Sequence, residues 1–392
     1  MYSSKILEKK PKILVFCNYY LPGFKGGGSL RTIVNMVDRL NNKFDFWIIT
    51  LDHDGDNIQY KGVNINEWND NESAKVYYLS KDSIKISKLR ELILSVKPNS
   101  IYLNSVFATL SIYVLILRKL ALIPRLKIIL APEGEISEGA LGLKSVKKKA
   151  FLKLAKTVKL HRDLIWKTTS EFEKSEAERL KGTGGQIFIA PNLPSKMFLE
   201  NYRQESKPEK KVGEVKMIFL SRYMQKKNFN WLLSLLDDVK GSLTIDVYGN
   251  LEDESYWQEA LRLIKKLPDN ICVKYQGAIP HELVVKTIFK YHFFVLPTLG
   301  ENFGHVFIEA LAAGCPLVIS DRTPWRDLEN KGIGWDIPLE EPHKWVKIIN
   351  ACTNLDNDTY SNLSSLARNF AAEWLADPKI EEDTLRVLEK SL

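Results

Sequence analysis

Short apolar runs of strand length alternate with longer amphipathic segments along most of the chain. In the first half these segments cover residues 13–18, 30–40, 44–51, 76–79, 84–96, 101–104, 107–122 and 127–131. Alternation of this kind predicts βαβ units, in which helices cover a parallel sheet. We therefore expect the first half to form a doubly wound α/β domain.

The same alternation starts again after a polar segment at 200–214. Strands are predicted at 216–220, 243–248, 271–276, 293–297 and 316–320, and helices at 229–239, 252–266, 282–290 and 304–313, before a mostly helical end. The predicted fold class is α/β, with two doubly wound Rossmann-like domains facing each other across a cleft. We place the domains at 1–192 and 216–375, with a linker at 193–215 and a C-terminal helix at 376–392, for which packing on the first domain is one option.

Length and composition agree with two globular domains. The 392 residues exceed what one core usually supports, and 45% hydrophobic with 27% charged residues is an ordinary globular composition. The most apolar helical run, 108–117, is too short to cross a bilayer, and the polar residues 1–12 lack the apolar run of a secretory signal. The scattered cysteines show no CxxC spacing, so we expect a cytoplasmic protein without zinc or disulfides.

The formal net charge of +8 is concentrated in one segment, because residues 144–167 contain nine basic residues and one acid. Within 143–167, apolar residues recur every three or four positions, at Leu143, Val146, Ala150, Leu154 and Val158. This spacing predicts an amphipathic helix with a cationic face. Two interpretations are open: the helix lies on an anionic inner membrane leaflet, making the protein a peripheral one, or it packs against its own domain in solvent.

A glycine-rich segment follows the first predicted strand. Gly26, Gly27 and Gly28 precede a predicted helix, where backbone N–H groups can approach an anion closely. The segment is not a Walker A loop, because no Gly-Lys-Ser/Thr follows, and Arg31 stands where a dinucleotide motif has its last glycine. A phosphate contact and a flexible turn both remain open for it.

Two cations follow the first strand of the second half. Arg222 and Lys227 lie between strand 216–220 and helix 229–239. Arginine offers a planar fork for phosphate oxygens and lysine a mobile point charge, which together suit a diphosphate leaving group. The alternative is that both are ordinary surface cations.

Two glutamates occur in the segment 297–316. Glu301 lies in the loop after a predicted buried strand, whereas Glu309 interrupts an otherwise apolar helix, where an unpaired carboxylate would be costly. A ribose diol can supply the donors that Glu309 needs. The backbone N–H groups of Asn302, Phe303 and Gly304 at the helix start can hold a diphosphate. A half-exposed helical glutamate is the alternative for Glu309.

Together these features resemble family 4 of the retaining glycosyltransferases, which have the GT-B fold. The resemblance lies in the glycine loop after the first strand, in an arginine with a lysine five residues later, and in the two glutamates of ENFGHVFIEALAAGCP. It implies that Glu309 binds the nucleotide ribose and that Arg222 and Lys227 bind the diphosphate. Glu301 would then contact the transferred sugar, and Gly27 and Gly28 would approach the phosphate from the other domain.

The resemblance also implies a reaction. A nucleotide-sugar donor would transfer its sugar to a glycan or lipid-linked acceptor with retention of configuration and without an obligatory metal, as in bacterial polysaccharide or lipopolysaccharide synthesis. The sequence leaves the donor sugar, the nucleobase and the acceptor open. We expect no cofactor beyond the donor itself.

One position departs from the family pattern. Many relatives have a histidine shortly after the fifth strand of the first domain, where this chain reads Ala131-Pro132-Glu133-Gly134-Glu135. Glu135, or its neighbour Glu133, is a candidate for contact with an acceptor or sugar hydroxyl, and a solvent-facing loop acid is the simpler account. No residues show metal-ligand spacing, since Asp52-His53-Asp54 lies in a polar turn.

Two other classes of function compete with glycosyl transfer. A sugar-nucleotide epimerase can be built from two similar domains, and product analysis with and without acceptor would separate it. A non-catalytic nucleic-acid-binding protein is suggested only by the net charge, and the sequence contains no motif for reading bases. We therefore expect no nucleic-acid partner.

Overall fold

The computed structural model describes residues 9–56, 58–137, 140–141, 145–182, 184–195 and 207–392. The chain divides into two compact units, Met1–Leu193 with Lys379–Leu392, and Pro194–Pro378. Each unit is built on a mainly parallel sheet covered by helices, which confirms the predicted α/β class with two parallel-sheet domains.

The first unit contains an eight-stranded sheet. Its strands are β1 Lys12–Phe16, β2 Asp45–Leu51, β3 Trp68–Asn71, β4 Ala74–Leu79, β5 Ser100–Asn104, β6 Lys127–Ala131, β7 Ile165–Thr168 and β8 Gln186–Ile189. The order across the sheet is β3-β4-β2-β1-β5-β6-β7-β8, and only β3 runs antiparallel to its neighbour. The chain leaves β1 toward β2 on one side and reaches β5 on the other, so the topological switch point lies between β1 and β5.

Helices α1 to α5 connect these strands. They are α1 Gly27–Leu40, α2 Ile86–Val96, α3 Thr109–Lys119, α4 Ser145–Thr157 and α5 Glu171–Glu178. α1 shows why such segments become helices here, because Leu30, Ile33, Val37 and Leu40 recur at three- and four-residue spacing and are fully buried.

The second unit contains a six-stranded parallel sheet. Its strands are β9 Glu214–Leu220, β10 Ser242–Tyr248, β11 Ile271–Gly277, β12 Phe293–Leu296, β13 Leu317–Ser320 and β14 Gly334–Ile337, in the order β11-β10-β9-β12-β13-β14. The helices are α6 Phe229–Leu233, α7 Glu254–Ile264, α8 Val284–Ile288, α9 His305–Ala312, α10 Pro342–Asn354 and α11 Asn357–Ala376. The switch point of this sheet lies between β9 and β12.

The last helix is α12 (Pro378–Lys390), and from Lys379 onward it belongs to the first unit. Arg39 of α1 forms an ion pair with Glu381 at 2.9 Å, and the hydroxyls of Ser391 and Ser100 are 2.9 Å apart. These contacts hold the end of the chain beside α1 and the start of β5.

The linker predicted at 193–215 is too long at its C-terminal end. Strand β9 starts at Glu214, and Lys210 before it is buried. The Lys210 ammonium donates to the carbonyls of Thr353 at 2.9 Å and Leu355 at 3.0 Å, where it caps the end of α10. Residues 207–213 therefore belong to the second unit, and 196–206 lie outside the described residues.

The basic segment predicted as one helix over 143–167 is also corrected. α4 ends at Thr157, and Lys167 lies in strand β7 with its side chain buried. Leu143 and Lys144 are outside the described residues. The sequence pattern failed here because β7 is a short, fully buried strand whose one lysine made it look like a continuation of a cationic helix.

Candidate active site

The segments that follow β9 and β12 meet at the switch point of the second sheet. The Lys226 carbonyl accepts a hydrogen bond from the backbone N–H of Leu299 at 2.9 Å, which joins the two segments. Parallel strands direct their carboxyl ends to the same edge, so residues after β9 and β12 are placed side by side. The structure therefore brings Lys227 and Glu301 together, as the sequence analysis required of a common site.

Lys227 and Glu301 form a direct ion pair in which both side chains are largely buried. Burial lowers the pKa of Lys227, and the Glu301 carboxylate opposes this effect. Burial acts to raise the pKa of Glu301, but Lys227 and Lys226 outweigh it and hold that pKa below its usual value. Glu301 is therefore ionised at neutral pH beside two ammonium groups.

Arg222 lies nearer the surface than this pair. Its guanidinium forms an ion pair with Glu252 at 3.1 Å, and both side chains are partly exposed. The charge of Arg222 nevertheless contributes to lowering the pKa values of both Lys227 and Glu301. The segment after β9 thus carries three cations, Arg222, Lys226 and Lys227, whose charges all act on the buried Glu301 carboxylate. Glu252 was not identified from the sequence, since nothing in its polar turn marks it as the partner of Arg222.

The loop that carries Glu301 is held in place from several sides. The Ser320 hydroxyl donates to the Thr298 carbonyl at 2.5 Å, and the backbone N–H of Glu301 donates to the Arg322 carbonyl at 3.0 Å. Further along, the indole N–H of Trp325 donates to the Phe303 carbonyl at 2.6 Å. These hydrogen bonds give the loop a defined shape, which favours binding by a preformed site.

Asn302, Phe303 and Gly304 lead directly into the N-terminus of α9. Gly304 has a φ of 74°, and a Cβ atom there would lie 2.5 Å from the ring of Phe307, so this position requires glycine. Phe303 is buried, with its ring centroid 5.9 Å from that of Trp325 and 5.7 Å from that of Trp374. The helix start is therefore fixed, and helix N-termini attract anions through their N–H groups and dipole.

Glu309 is a buried carboxylate on α9, only 4% exposed, between the buried residues Ile308 and Ala310. The Nδ1 atom of His281, in the segment after β11, lies 3.9 Å from the Glu309 carboxylate. A carboxylate in such surroundings is stable only when donors reach it. His281 was assigned no role from the sequence, because a lone histidine without spaced partners gives no signal.

The glycine segment of the first unit lies at the other switch point, between β1 and β5. Gly27 and Gly28 are the first residues of α1, and Gly27 has a φ of 60°. The Asn104 side chain at the end of β5 donates to the Ser29 carbonyl at 3.2 Å. This placement leaves the phosphate contact of Gly27 and Gly28 a prediction, with a helix N-terminus available for it.

Asp54 fixes the loop before these glycines. Its carboxylate accepts from the backbone N–H groups of Phe24 at 2.9 Å and Lys25 at 3.1 Å, and from the hydroxyl of Tyr60 at 2.9 Å. The sequence analysis placed Asp54 in a polar turn without a role. The structure shows that this turn anchors the glycine loop.

Glu135 holds a neighbouring loop together. Its carboxylate accepts from the Ser105 hydroxyl at 2.7 Å and from the backbone N–H of Val106 at 2.9 Å. Burial raises the pKa of Glu135, and these hydrogen bonds oppose the shift. Such bonds give Glu135 a structural role after β5, and its catalytic role stays a prediction.

A buried charged network next to Glu135 joins Glu133 to side chains that the sequence analysis did not identify. Lys167 donates to the Asn192 side chain at 2.5 Å, and its ammonium is 3.9 Å from the Glu133 carboxylate. Asn192 also donates to Glu133 at 3.0 Å.

Glu173 of α5 accepts from the backbone N–H of Gly134 at 2.7 Å, and burial raises the pKa of Glu173 to about 7. Lys167 and Glu173 could not be found from the sequence, since each lies in an element that was not predicted.

Two further observations concern metals and membranes. Among the described residues, no three His, Cys, Asp or Glu side chains are grouped closely enough to hold a metal ion. In the same part of the chain, no helix combines the length and the apolar character needed to cross a bilayer.

The whole chain is similar in fold to solved glycosyltransferase structures. Anabaena Alr3699/HepE, in complex with UDP and glucose, matches with a TM-score of 0.69 at 14% identity, covering 97% of this chain and 100% of that chain. Sucrose-phosphate synthase from Thermosynechococcus elongatus gives a TM-score of 0.72 at 15% identity over 97% and 99% of the two chains. The lipopolysaccharide outer core galactosyltransferase WaaB, in its apo form, gives 0.61 at 13% identity over 97% and 100%. These matches establish the GT-B fold.

A family model gives a second, sequence-based match. Residues 201–370 match the family described as glycosyl transferases group 1. A comparison with curated protein sequences gives no match. Arg222, Lys227, Glu301 and Glu309 all fall within the matched residues, so the family match and the candidate site occupy the same part of the chain.

Proposed function

We propose that the protein is a glycosyltransferase that uses a nucleotide-sugar donor. The observation that carries this proposal is the buried Lys227–Glu301 pair at the β9–β12 switch point, beside the start of α9. Open α/β sheets bind ligands at such switch points, and a diphosphate needs the cations and helix N-terminus found there. The family match over residues 201–370 supports the same reaction class.

Each side chain has a proposed role. Arg222 and Lys227 bind the diphosphate together with the backbone at Asn302, Phe303 and Gly304. Glu309 binds the ribose diol, and Glu301 orients the transferred sugar. As the bond to the sugar breaks, negative charge grows on the diphosphate, and cations that are already in place stabilise it without reorganising.

We propose that transfer retains the anomeric configuration and needs no metal. In support of the second point, Lys227, Lys226 and Arg222 all act on the charge of Glu301, and cations this close to the proposed diphosphate site can stabilise its charge as a divalent ion would. Retention rests on the resemblance to family 4. It would be tested by determining the anomeric configuration of donor and product by NMR.

The proposed acceptor is a glycan or lipid-linked sugar in the synthesis of a cell-surface polysaccharide. WaaB, one of the similar structures, is a lipopolysaccharide galactosyltransferase. We propose a cytoplasmic location, which the four unpaired cysteines support. HepE structures contain UDP and UDP-glucose, which makes uridine nucleotides the first donors to test.

The deciding experiment is a thermal-shift screen against nucleoside diphosphates and nucleotide sugars, followed by product analysis. A ligand at one hundred times its dissociation constant should stabilise the fold by about 2.7 kcal/mol. Sugar transfer that depends on added acceptor would support the proposal. Conversion of the donor to an epimer without acceptor would instead identify an epimerase, and affinity for RNA or DNA with steep salt dependence would identify a nucleic-acid-binding protein.

A further inference from the structure

An apolar row on α4 faces solvent. Val146 is 80% exposed, Leu154 is 61% exposed and Val158, just after the helix, is 40% exposed, and Ala150 between them is also exposed. These four residues follow one another at intervals of four, so they form one row along the helix surface. The apolar row predicted from the sequence is therefore exposed along the described part of the helix.

A different face attaches α4 to the first unit. Ala155 is buried, and the ring centroid of Phe151 lies 5.8 Å from that of Phe107. Lys148 donates to the Ala140 carbonyl at 2.7 Å and lies over the Phe107 ring. These contacts attach α4 to the first unit through side chains outside the apolar row.

Cations flank the exposed apolar row. The exposed lysines are Lys147, Lys149, Lys153, Lys156 and Lys159, and no acidic residue occurs between positions 145 and 162. A helix with apolar and cationic side chains together on its outer face is the pattern of helices that lie in the interface of an anionic bilayer. Repulsion among the lysines disfavours burial against another copy of the same face.

A second exposed apolar group lies near the C-terminal end of α4. Leu120 and Leu122, in the turn after α3, are 60% and 43% exposed. Arg118 at the end of α3 donates to the Arg162 carbonyl at 2.7 Å, which joins this turn to the segment after α4. Apolar and basic side chains thus continue beyond the helix itself.

We infer that the outer face of α4 binds an anionic lipid bilayer, with Val146 and Leu154 entering the interface and the lysines meeting the headgroups. This inference is independent of the proposed function, because it concerns a surface of the first unit and no substrate site. It would bring the protein to a membrane that holds lipid-linked molecules. Lipid binding and transfer can be measured separately, so failure of one leaves the other standing.

The test is cosedimentation of the full chain with phosphatidylcholine vesicles that contain or lack phosphatidylglycerol. We expect binding only to the anionic vesicles. Replacing Val146 and Leu154 by serine should weaken it about tenfold or more, because two apolar side chains lose their burial. Changing Lys147, Lys149, Lys153 and Lys156 to glutamine should weaken it at least as much.

The matched control removes the same charge elsewhere. Lys240, Lys265, Lys274 and Lys286 are exposed on the second unit, and their glutamine variant should bind anionic vesicles like the unchanged protein. If the control variant lost as much vesicle binding as the α4 variant, net charge alone would explain the effect and the inference would be overturned. The inference would also be overturned if the Val146→Ser/Leu154→Ser protein bound vesicles as before, or if the unchanged protein bound no vesicles. A third such outcome is that the unchanged protein binds an RNA oligonucleotide and the glutamine variant of the α4 lysines loses RNA binding together with vesicle binding, because the lysines would then serve a nucleic acid.

Discussion

Lys227 and Glu301 form a buried ion pair that joins the segment after β9 to the loop after β12. The two residues are far apart in the chain, and the parallel sheet places them side by side. Each side chain neutralises the other, because a single unpaired charge would be costly to bury there. Removal of one partner therefore releases the other, which allows the two roles to be separated experimentally.

The first prediction concerns Glu301. Glu301→Gln should leave the affinity for the free nucleoside diphosphate unchanged or raise it, because Lys227 is released toward the phosphates. Turnover with the intact nucleotide sugar should fall about ten- to a hundredfold, the size of a lost charge-assisted hydrogen bond in the transition state. Calorimetry and initial-rate kinetics measure the two effects.

Lys227→Met provides the matching variant. It should weaken the nucleoside diphosphate itself, and the Lys227→Met/Glu301→Gln double variant should show non-additive changes, since the side chains are in contact. The assignment is wrong if Glu301→Gln weakens the diphosphate as strongly as Lys227→Met does.

The second prediction concerns Glu309. Glu309→Ala should weaken the free nucleoside diphosphate and the intact donor alike, by about ten- to a hundredfold, because the ribose contact is present in both ligands. The effect should therefore appear in the dissociation constant from calorimetry. The same titration with a 2′,3′-dideoxy nucleotide is the control, since a ligand without the diol should bind both proteins equally. A loss that persists with the dideoxy nucleotide would contradict the ribose assignment.

Several residues of this candidate site could be identified from the sequence because they lie in contiguous motifs. Glu301, Glu309 and the turn at Gly304 lie within one segment after a buried strand, and strand order then fixes their edge of the sheet. Contacts between segments that are distant in the chain could not be predicted in this way. Neither the pairing of Arg222 with Glu252 nor the approach of His281 to Glu309 leaves a local pattern.

The elements of the first unit that the sequence analysis missed have a similar explanation. β7 and β8 are four residues each, too short for an alternating pattern to be distinguished from a loop or a helix end. Lys167 was consequently assigned to a surface helix, whereas it is buried against Asn192. On α4 the pattern correctly predicted a helix, but not which apolar residues pack, because periodicity shows that a stripe exists and not what covers it.

The third prediction concerns Asp54 as a positioning residue. Asp54→Ala removes the acceptor for the backbone N–H groups of Phe24 and Lys25, so the glycine loop should lose its fixed shape. Turnover should fall about tenfold or more, while nucleoside diphosphate affinity of the second unit stays within about twofold. Asp56→Asn is the control, since its ion pair with Lys25 lies near the surface and should contribute little. Equal turnover in both variants would exclude this role for Asp54.

The fourth prediction concerns metal ions. Transfer should continue in excess EDTA, because Arg222, Lys226 and Lys227 supply the positive charge that a divalent ion provides in other enzymes. Initial rates would be compared with EDTA, after dialysis, and with added Mg²⁺ or Mn²⁺. Complete loss of turnover with EDTA and its recovery with either ion would reject metal-independent transfer.

The last prediction concerns the pH dependence of stability and depends on Glu173. Burial raises the pKa of this carboxyl from 4.5 to about 7, and the charge of Glu133 adds to the shift, while Lys167 opposes it. Between these two values the folded protein holds a proton that the unfolded chain has released. The free energy of unfolding should therefore fall as pH rises from about 4.5 to 7, by roughly 3 kcal/mol in all, since one pKa unit corresponds to about 1.36 kcal/mol.

Glu173→Gln tests this dependence, because glutamine has the shape of the protonated acid and cannot ionise. Its stability relative to the unchanged protein should increase with pH, so that the variant gains most near pH 8, as measured by urea unfolding of the first unit at a series of pH values. Glu178→Gln on the same helix is the control, since Glu178 is exposed and its loss should shift the curve little at any pH. If the Glu173→Gln and unchanged proteins keep a constant difference from pH 5 to pH 8, the carboxyl does not titrate in this range and the buried network is held together differently.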